Sequence, residues 1–546
     1  MGAEPGRDLL LRGGRVWGAP PDADAVLVRG RRIAAVGRGE DLLSAGADVA
    51  DLAGRWVLPG FTDSHTHFHR TAMLAEYFLD FAELHPADSV AALLDVVAAR
   101  YAVTPEGAWI QGDNLAPAAL AERRFPTRWE LDAVAPDRPV LLRGTGKHVV
   151  AANSLALRLA GIDATTPDPP GGAIERDEAG EPTGVLHERA KLRLDTTRTD
   201  TVVPGLSEAD RMRALAAGIA RLHELGITAI HEITRTADEF ADYQRLRASS
   251  GLGVRVRAYV RVVEGQASLD DLAAVGVRSG LGDDLLRFGG VKVSVDGSDE
   301  HRNAALHEDY PGHPGHRGLI RIEAAELDAV VRRAHGLGLQ TAVHAIGPRA
   351  VDLALDAFAG IGDPHGVRRL RHRIEHAYLP PRPGQLETMR DLGLVLSTQP
   401  AFLEAGGDGW REIFGADAGP RFLPLRTALD LGLVVQANSD VPCARLDPLV
   451  GIRAAVRRTT RAGTHLGAAE AVTVAEAVAM YTRAPAWTAF EEDRRGAVEA
   501  GMLADLTVVS GDPVAELDTF TVDATVVDGR LVSSRFTDPT TEGASL

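Results

Sequence analysis

A pair of histidines is the first feature of this sequence with a chemical implication. His65 and His67 flank one threonine, directly after an apolar segment and a Pro-Gly turn at residues 59–60. Because side chains alternate along an extended strand, both imidazoles point to the same face, where they can share one divalent cation. Paired histidines in a loop are often only solvated, so the pair alone leaves a metal site and a polar loop as alternatives.

The lysines point to a second chemical position. Of the 59 basic residues only three are lysines, Lys147, Lys191 and Lys292, and all others are arginines. An arginine guanidinium stays protonated in proteins, whereas a desolvated lysine can lose its proton and react as an amine. A lysine in so arginine-rich a chain indicates a position that needs an amine, with a buried structural role for Lys292 as the alternative.

The elements that would position these side chains alternate between apolar strands and amphipathic helices. We predict eight strands, most of them separated by helical stretches, at residues 57–63, 227–232, 254–260, 288–295, 339–344, 370–376, 394–398 and 433–438. This alternation is typical of an α/β fold, the (β/α)8 barrel of the TIM type. Side chains at the C-terminal ends of such strands face the barrel mouth, where the active sites of this fold lie.

Four further candidate ligands fall at these strand ends. A (β/α)8 barrel uses about 31 residues for each strand and helix. On that spacing, Lys292, His344, His376 and Asp440 belong to strands four, five, six and eight. We therefore expect them to face the same mouth as the histidine pair. For Asp440, the alternative is an ordinary aspartate that caps the next loop.

The rest of the chain predicts two additions to the barrel. Both chain ends show short alternating strands around Gly turns, so we expect residues 1–56 and 496–546 to form one small β-sandwich domain. The barrel would comprise residues 57–74 and 206–495. Residues 75–205 form a large insertion after strand one, rich in Pro and Gly near 167–172, and we expect a subdomain over the barrel mouth.

Composition excludes several classes of protein. With 45% hydrophobic and 25% charged residues in 546, the chain is an ordinary globular protein. The net charge of −17 repels phosphate backbones and anionic membranes, so we expect neither nucleic acid nor membrane as a partner. A single cysteine, Cys443, closes no disulfide within the chain, and no apolar segment has a signal-peptide or membrane-helix pattern. We expect a cytoplasmic protein.

Several segments together resemble the amidohydrolase superfamily. Within it, the sequence is most similar to the branch of YtcJ-like hydrolases and N-substituted formamide deformylases (amidohydrolase family 3). The segments that carry the resemblance are PGFTDSHTH at 59–67, GVKVSVDGS at 290–298, HAIG at 344–347, RIEHA at 373–377 and SDVP at 439–442, with further matches at 171–174, 184–186 and 501–506. The resemblance covers nearly the whole chain.

The resemblance implies a metal centre and a reaction. Family members hold one or two divalent ions, often zinc, and the corresponding ligands here are His65, His67, Lys292, His344, His376 and Asp440. Lys292 would carry a carbamate derived from CO2, which needs an uncharged primary amine that arginine cannot offer. Metal-activated hydroxide would attack a polarised carbonyl, with Asp440 as general base and then general acid.

Three further residues are candidates for substrate binding. His231 ends strand two and could touch substrate or orient a ligand, His148 follows Lys147 in a segment that approaches the active site in relatives, and Arg302 could anchor a polar or anionic group. For each, a structural or surface role is the alternative. Pro348 and Asn438 depart from the residues frequent in the family, so the pocket shape and the substrate specificity need not follow those of the relatives.

The expected activity is hydrolysis of a C–N bond in a small amide: N-formyl, N-acyl or cyclic. An ester or lactone hydrolase using the same site is one alternative. A scaffold or binding protein without activity is another, although a scaffold has no need of the complete ligand set. The family further suggests a homodimer.

Overall fold

The computed structural model describes residues 8–535 except 44–45, 82–84, 146–148, 171, 195–200, 250, 264–267, 301, 416–418 and 420. The chain forms two compact units. One comprises the chain up to His69 and from Ile219 onward, and the other is Arg70–Gly218. The boundaries fall within two helices, Phe68–Tyr77 and Glu208–Glu224.

Eight parallel strands form a barrel in the first unit. We number them β1 to β8 in chain order: Phe61–Thr66, Ile227–Thr234, Arg255–Arg261, Leu286–Ser294, Gln340–Ala345, Arg373–His376, Val395–Thr398 and Val434–Ala437. Each strand pairs with its neighbour in chain order. Ser64 Oγ of β1 donates to the Ala437 carbonyl of β8 at 2.8 Å, which joins the first and last strands. The predicted (β/α)8 class is confirmed.

The burial patterns of the strands and helices match their positions in the barrel. Every residue of β2 is buried, as expected for a parallel strand covered on both faces. Outside the barrel, Pro348–Gly360 buries Ala350, Val351, Ala354, Leu355, Ala357 and Phe358, the spacing of one apolar helical face. The other helices of eight or more residues in this unit are Ala237–Ser249, Ala324–Gly336, Gln385–Leu392, Pro400–Phe414, Pro448–Arg457 and Val474–Tyr481.

Shorter helices complete the first unit: Gly39–Leu42, Leu269–Ala274, Pro364–Leu370, Leu425–Asp430, Arg483–Thr488 and the 3₁₀ turn Ala468–Glu470. In the described part of the chain, no helix is both long enough and apolar enough to cross a membrane.

The first predicted strand, 57–63, divides at Gly60. Trp56–Pro59 pairs with Leu506–Ser510 in a small sheet, and only Phe61–Thr66 enters the barrel. A Cβ at Gly60 would lie 2.3 Å from Thr228 Oγ1, so the chain passes too close to β2 for any side chain here. The prediction of a single strand was wrong because apolarity alone does not show where the chain changes sheets.

Two small sheets lie outside the barrel in this unit; the first is built from the N-terminal segment, and the second combines strands from both ends of the chain. One has the order Arg32–Gly37, Ala25–Arg29, Leu9–Arg12, Asp48–Asp51. The other has the order Arg15–Val16, Trp56–Pro59, Leu506–Ser510, Thr521–Val527, Arg530–Ser534. Leu11, Val26 and Ile33 of the first share a buried core with Val508 and Val526 of the second. The apolar faces of the two sheets therefore pack together, as in a β-sandwich.

The second unit, Arg70–Gly218, has its own mixed sheet. Its strands are ordered Gly172–Arg176, Pro182–Glu188, Val149–Ala152, Val140–Gly144, Ile110–Leu115, Phe78–Asp80. The helices are Val90–Val103, Arg128–Val134 and Ser154–Ala160, with 3₁₀ turns Pro117–Ala119 and Arg189–Leu194. Thr127 and Glu130 form a reciprocal capping box at the second helix. Where this unit lies relative to the mouth stays a prediction.

Candidate metal centre

The six predicted ligands all belong to the C-terminal ends of barrel strands. His65 lies in β1 and His67 directly follows it, while Lys292 and His344 lie in β4 and β5. His376 is the last residue of β6, and Asp440 follows the end of β8 by three residues. In a (β/α)8 barrel these ends surround one mouth, so strand order alone brings the six side chains toward a common centre.

Three of these side chains form a compact group of donor atoms. One ligand atom from each of His65, His376 and Asp440 lies within 4.8 Å of the others. Asp440 Oδ1 lies 3.4 Å from His65 Nε2 and 3.5 Å from His67 Nε2. The ring centroids of His344 and His376 are 4.4 Å apart. The strand-end histidines and Asp440 thus face one another, as ligands of a shared cation would.

Contacts at Nδ1 set the ring orientation of three of the four histidines predicted as ligands. His65 Nδ1 donates to Glu375 Oε2 at 2.5 Å, and His376 Nδ1 donates to Gln399 Oε1 at 3.1 Å. His67 Nδ1 lies 3.3 Å from the Ile233 carbonyl. An acceptor at Nδ1 selects the tautomer whose Nε2 carries a lone pair, the form that binds metals. The surroundings of the three rings therefore prepare Nε2 for a metal ion.

The histidines are held neutral. Burial, followed by nearby positive charge, lowers the pKa of His65 and of His344 well below 6.5. Burial and the charge of Lys292 lower the pKa of His376 to about 3. Since only neutral imidazole ligates a cation, no proton has to leave these rings at neutral pH when a metal binds.

Lys292 lies in the barrel interior as a poorly solvated amine. The residue is 2% exposed, and burial lowers its pKa to about 7, against the opposing influence of Glu375 and Asp440. Burial therefore favours the uncharged form of the amine. This is the chemical state that a reaction with CO2 requires, and the resulting carbamate would present two anionic oxygens.

Three buried polar atoms in this group lack hydrogen-bond partners in the described part of the chain: Lys292 Nζ, His344 Nε2 and Asp440 Oδ1. A buried polar atom without a partner costs about 1–3 kcal/mol. Three such atoms around one centre, all of metal-ligating or carbamate-forming type, fit a site for a divalent cation. Together with the three oriented imidazoles, they form a donor set that suits zinc or a similar ion.

A second carboxylate holds the segment that carries Asp440. Asp63 Oδ2 accepts a hydrogen bond from Ser439 Oγ at 2.5 Å, and its Oδ1 accepts one from the Ser439 amide at 3.1 Å. The Asp440 amide donates to the His65 carbonyl at 3.0 Å. Asp440 itself has φ of +51°, a left-handed conformation that aspartate tolerates better than most residues. These contacts fix the carboxylate beside the two histidines of β1.

Sequence reasoning missed the residues that hold the ligands. Arg373 and Glu375 lie two apart in β6, and both are fully buried. Arg373 Nε donates to Glu375 Oε1 at 2.6 Å while Glu375 binds His65. Opposite charges two residues apart in a predicted barrel strand were a usable signal. Gln399 and Asp63 gave none, because their partners are far away in the sequence.

For two of the three residues predicted to bind substrate, the structure shows contacts within the protein itself. His231 is fully buried in β2, and its Nδ1 accepts a hydrogen bond from Arg373 NH1 at 3.1 Å. Arg302 has its main chain tied to Asp299 and His316. His148 lies outside the described residues. Substrate roles for all three stay predictions.

Comparison with known proteins agrees with this architecture. The amidohydrolase family model matches residues 48–533. N-substituted formamide deformylase of Arthrobacter pascens is 33% identical over 93% of this chain and 94% of its own length. The putative amidohydrolase YtcJ of Bacillus subtilis is 30% identical, with 88% and 89% covered. The crystal structure of an uncharacterized metal-dependent hydrolase from Pyrococcus furiosus superposes with a TM-score of 0.74 at 28% identity, covering 93% of this chain and all of the other.

The chain belongs to the amidohydrolase family. It is a hydrolase that acts on carbon–nitrogen bonds. The resemblance to the branch of YtcJ-like proteins and formamide deformylases is confirmed.

Proposed function

We propose that this protein uses a divalent metal centre to hydrolyse an N-formyl, N-acyl or cyclic amide bond of a small molecule. One observation carries the proposal: Lys292 Nζ, His344 Nε2 and Asp440 Oδ1 are buried beside the oriented histidines and have no hydrogen-bond partner among the described residues. A folded protein keeps such a costly arrangement where a ligand satisfies it. The proposal extends to this chain the activity for which the A. pascens relative is named.

The cation would be held by His65, His67, His344, His376, Asp440 and a carbamate on Lys292, with zinc as the proposed ion. When bound, a divalent cation polarises the substrate carbonyl and lowers the pKa of water toward about 7. Because a carbamate has two oxygens, the same ligands have enough donor atoms for two ions. Occupancy by one or two ions is therefore the first quantity to measure.

Asp440 would transfer a proton from the attacking water to the leaving nitrogen. Its Oδ1 lies 3.4 Å from His65 Nε2 and 3.5 Å from His67 Nε2 and accepts no hydrogen bond from the described residues, so it would face the position where water must approach. The carboxylate accepts a proton from the attacking water as the new C–O bond forms at the carbonyl carbon. It then donates that proton to the leaving nitrogen as the C–N bond breaks. The products are a carboxylic acid and an amine, or a ring-opened amino acid from a cyclic amide.

Metal content with a matched lysine control tests the centre. Elemental analysis of the purified protein should give one to two zinc or similar ions per chain. Lys292→Ala should lower this content, and intact mass should show about 44 Da of CO2-derived mass only when Lys292 is present. Lys191→Ala is the control, because Lys191 lies in the other compact unit and should change neither value.

Three results would each contradict one part of the proposal. A protein that binds no metal after expression in metal-replete medium would contradict the proposed function and favour a scaffold. One ion, unaffected by Lys292→Ala, would assign Lys292 a structural role and contradict the carbamate. Metal-loaded protein should release amine from at least one member of a panel of N-formyl, N-acyl and cyclic amides. Turnover of esters alone would contradict amide hydrolysis.

A further inference from the structure

Two buried arginines in the barrel share a single carboxylate. Arg257 of β3 is 1% exposed, Arg495 is 4% exposed, and Glu491, which binds both, is 2% exposed. Glu491 Oε1 accepts a hydrogen bond from Arg257 NH2, and its Oε2 accepts one from Arg495 Nε at 2.5 Å. Among the residues that the structure describes, neither guanidinium has a second ion-pair partner. This buried group therefore holds more positive than negative charge.

The excess charge persists at neutral pH. Burial lowers the pKa of Arg257 only to about 10, so its guanidinium stays protonated. A third arginine adds to the excess, because Arg287 NH1 lies 3.2 Å from the same oxygen of Glu491. A buried charge without a counter-ion is strongly unfavourable, and folded proteins normally pair it. The group therefore calls for one further negative charge.

Three buried nitrogen atoms near this group lack a hydrogen-bond partner in the described part of the chain: Arg257 Nε, Arg495 NH2 and His231 Nε2. The two arginine atoms carry hydrogens in every state of the side chain. For His231, Arg373 NH1 donates to Nδ1 at 3.1 Å, which places the ring proton on Nε2. Burial lowers the pKa of His231 well below 6.5, so the ring is neutral. All three atoms are donors that still need an acceptor.

Strand order brings the three donors to one part of the barrel interior. His231 of β2 pairs in register with Arg257 of β3, so the two side chains lie on the same face. That face is the interior, because His231 reaches Arg373 of β6 on the other side of the barrel. On the opposite flank of β2, Arg495 NH1 donates to Thr62 Oγ1 of β1 at 2.7 Å. His231 thus lies between the strands that hold the two arginines, which Glu491 joins.

A small monovalent anion would satisfy both features of this region. A water molecule accepts hydrogen bonds from N–H donors but does not compensate charge. A dianion such as sulfate or phosphate would reverse the charge, and its several oxygens need more donors than three. Chloride carries one negative charge, has no proton of its own, and acts only as an acceptor. The donors and the excess charge therefore match chloride.

We propose that Arg257, Arg495 and His231 bind a chloride ion inside the barrel. Arg257 also donates to the Asp284 carbonyl, before β4 begins, so the site lies toward the N-terminal ends of the strands. The predicted metal ligands lie at the opposite ends. The ion would hold residues 491–495, which follow the helix Arg483–Thr488, against β1 to β3. The inference concerns the stability of the barrel and does not depend on the proposed amide hydrolysis.

Exchange of chloride for gluconate tests the site in metal-loaded wild-type protein. Gluconate is too large to lie among three buried donors, and at equal concentration it leaves the screening of surface charges unchanged. After exhaustive dialysis, replacing about 100 mM gluconate with chloride should raise the thermal midpoint by roughly 1–3 °C, because the ion binds only the folded chain. Equal midpoints in the two salts would contradict the chloride site.

Substitutions of Arg495 show whether this effect arises at the proposed site. Arg495→Met removes one positive charge and one donor, so Arg257 and Glu491 form a balanced pair and the midpoint should no longer depend on chloride. Arg495→Lys keeps the charge and should keep part of the dependence. Arg453→Met is the control, because Arg453 donates to two main-chain carbonyls from a helix outside the barrel. Full chloride dependence in Arg495→Met would overturn the proposal.

Bromide locates the ion without any substitution. It replaces chloride and scatters X-rays anomalously, so wild-type crystals in about 100 mM bromide should show an anomalous peak within hydrogen-bond distance of Arg257 Nε, Arg495 NH2 and His231 Nε2. Density without an anomalous signal would identify a water molecule and overturn the proposal. A peak that appears only at about 1 M bromide would also overturn it, as an adventitious ion only. Each of these results leaves the proposed function unaffected.

Discussion

Glu375 Oε2 and His65 Nδ1 are 2.5 Å apart, and both side chains are almost completely buried. The other carboxylate oxygen accepts from Arg373, which in turn contacts His231. An imidazole that donates to a carboxylate becomes a more basic ligand at its other nitrogen. The line of contacts from β2 through β6 to β1 therefore tunes His65 before any ion binds.

Replacing Glu375 by Gln should weaken metal binding without removing the hydrogen bond to His65. The amide oxygen still accepts from Nδ1, but the negative charge is lost, and such changes typically cost 10- to 100-fold in metal affinity. Competition with a chelator measures the affinity. Glu492→Gln, which alters a partly buried ion pair with Arg371 elsewhere in the barrel, is the control. An affinity equal to the wild type would show that the contact is only structural.

Replacing Asp440 by Asn should separate metal binding from turnover. An amide can still ligate but cannot take a proton from water, so the variant should keep most of its metal. It should lose about 10²- to 10⁴-fold in kcat, the range typical of general acid–base catalysis. Metal content and single-turnover rates are measured on the same preparation. An unchanged rate would remove Asp440 as the group that transfers the proton.

His372 should make the protein less stable at acidic pH. Burial, followed by the charge of His335, lowers its pKa to about 3, and its Nδ1 accepts the Thr341 amide at 2.9 Å. The unfolded chain therefore binds a proton that the folded chain excludes. Stability is lost as the pH falls below about 6.5, by up to about 1.4 kcal/mol per pH unit for one group, until about pH 3.

Urea unfolding between pH 6.5 and 5 tests this effect. His372→Asn keeps an acceptor for the Thr341 amide but does not titrate, so its free energy of unfolding should fall less steeply with pH than that of the wild type. The difference between the two slopes isolates His372 from other buried histidines. Identical slopes would show that the folded protein admits the proton at this site.

Because the chain at Gly60 lies close to the Thr228 side chain, adding a side chain at Gly60 should lower stability. Gly60→Ala would place a methyl group against Thr228, and overpacking of this kind costs about 1–3 kcal/mol. Thr228→Ala should relieve most of the clash in the double variant. Gly336→Ala is the control, because Gly336 ends a helix with no heavy atom within 4 Å of its added Cβ. Thermal midpoints of the wild type, the two single variants, the double variant and the control measure the effect, and additive losses would contradict steric contact between the two residues.

Strand alternation and unit spacing were sufficient to place His65, His67, Lys292, His344, His376 and Asp440 at strand ends, because the (β/α)8 barrel fixes where each strand leads. Contacts between segments that are distant in the sequence could not be predicted from strand alternation or from spacing. Nothing local in the sequence connects Gln399 to His376. The division at Gly60 was missed because both halves of the segment are apolar.

The division of this segment at Gly60 affects the order in which the chain folds and binds metal. Trp56–Pro59 pairs with Leu506–Ser510, and the next strand, Phe61–Thr66, carries His65 and closes against β8. Each half of this early segment thus has one partner that lies several hundred residues later in the chain, and contacts of such high sequence separation form slowly. During synthesis on the ribosome, the first histidine ligand must wait for the last barrel strand. We therefore expect metal to be acquired after translation is nearly complete, by a chain that is already largely folded.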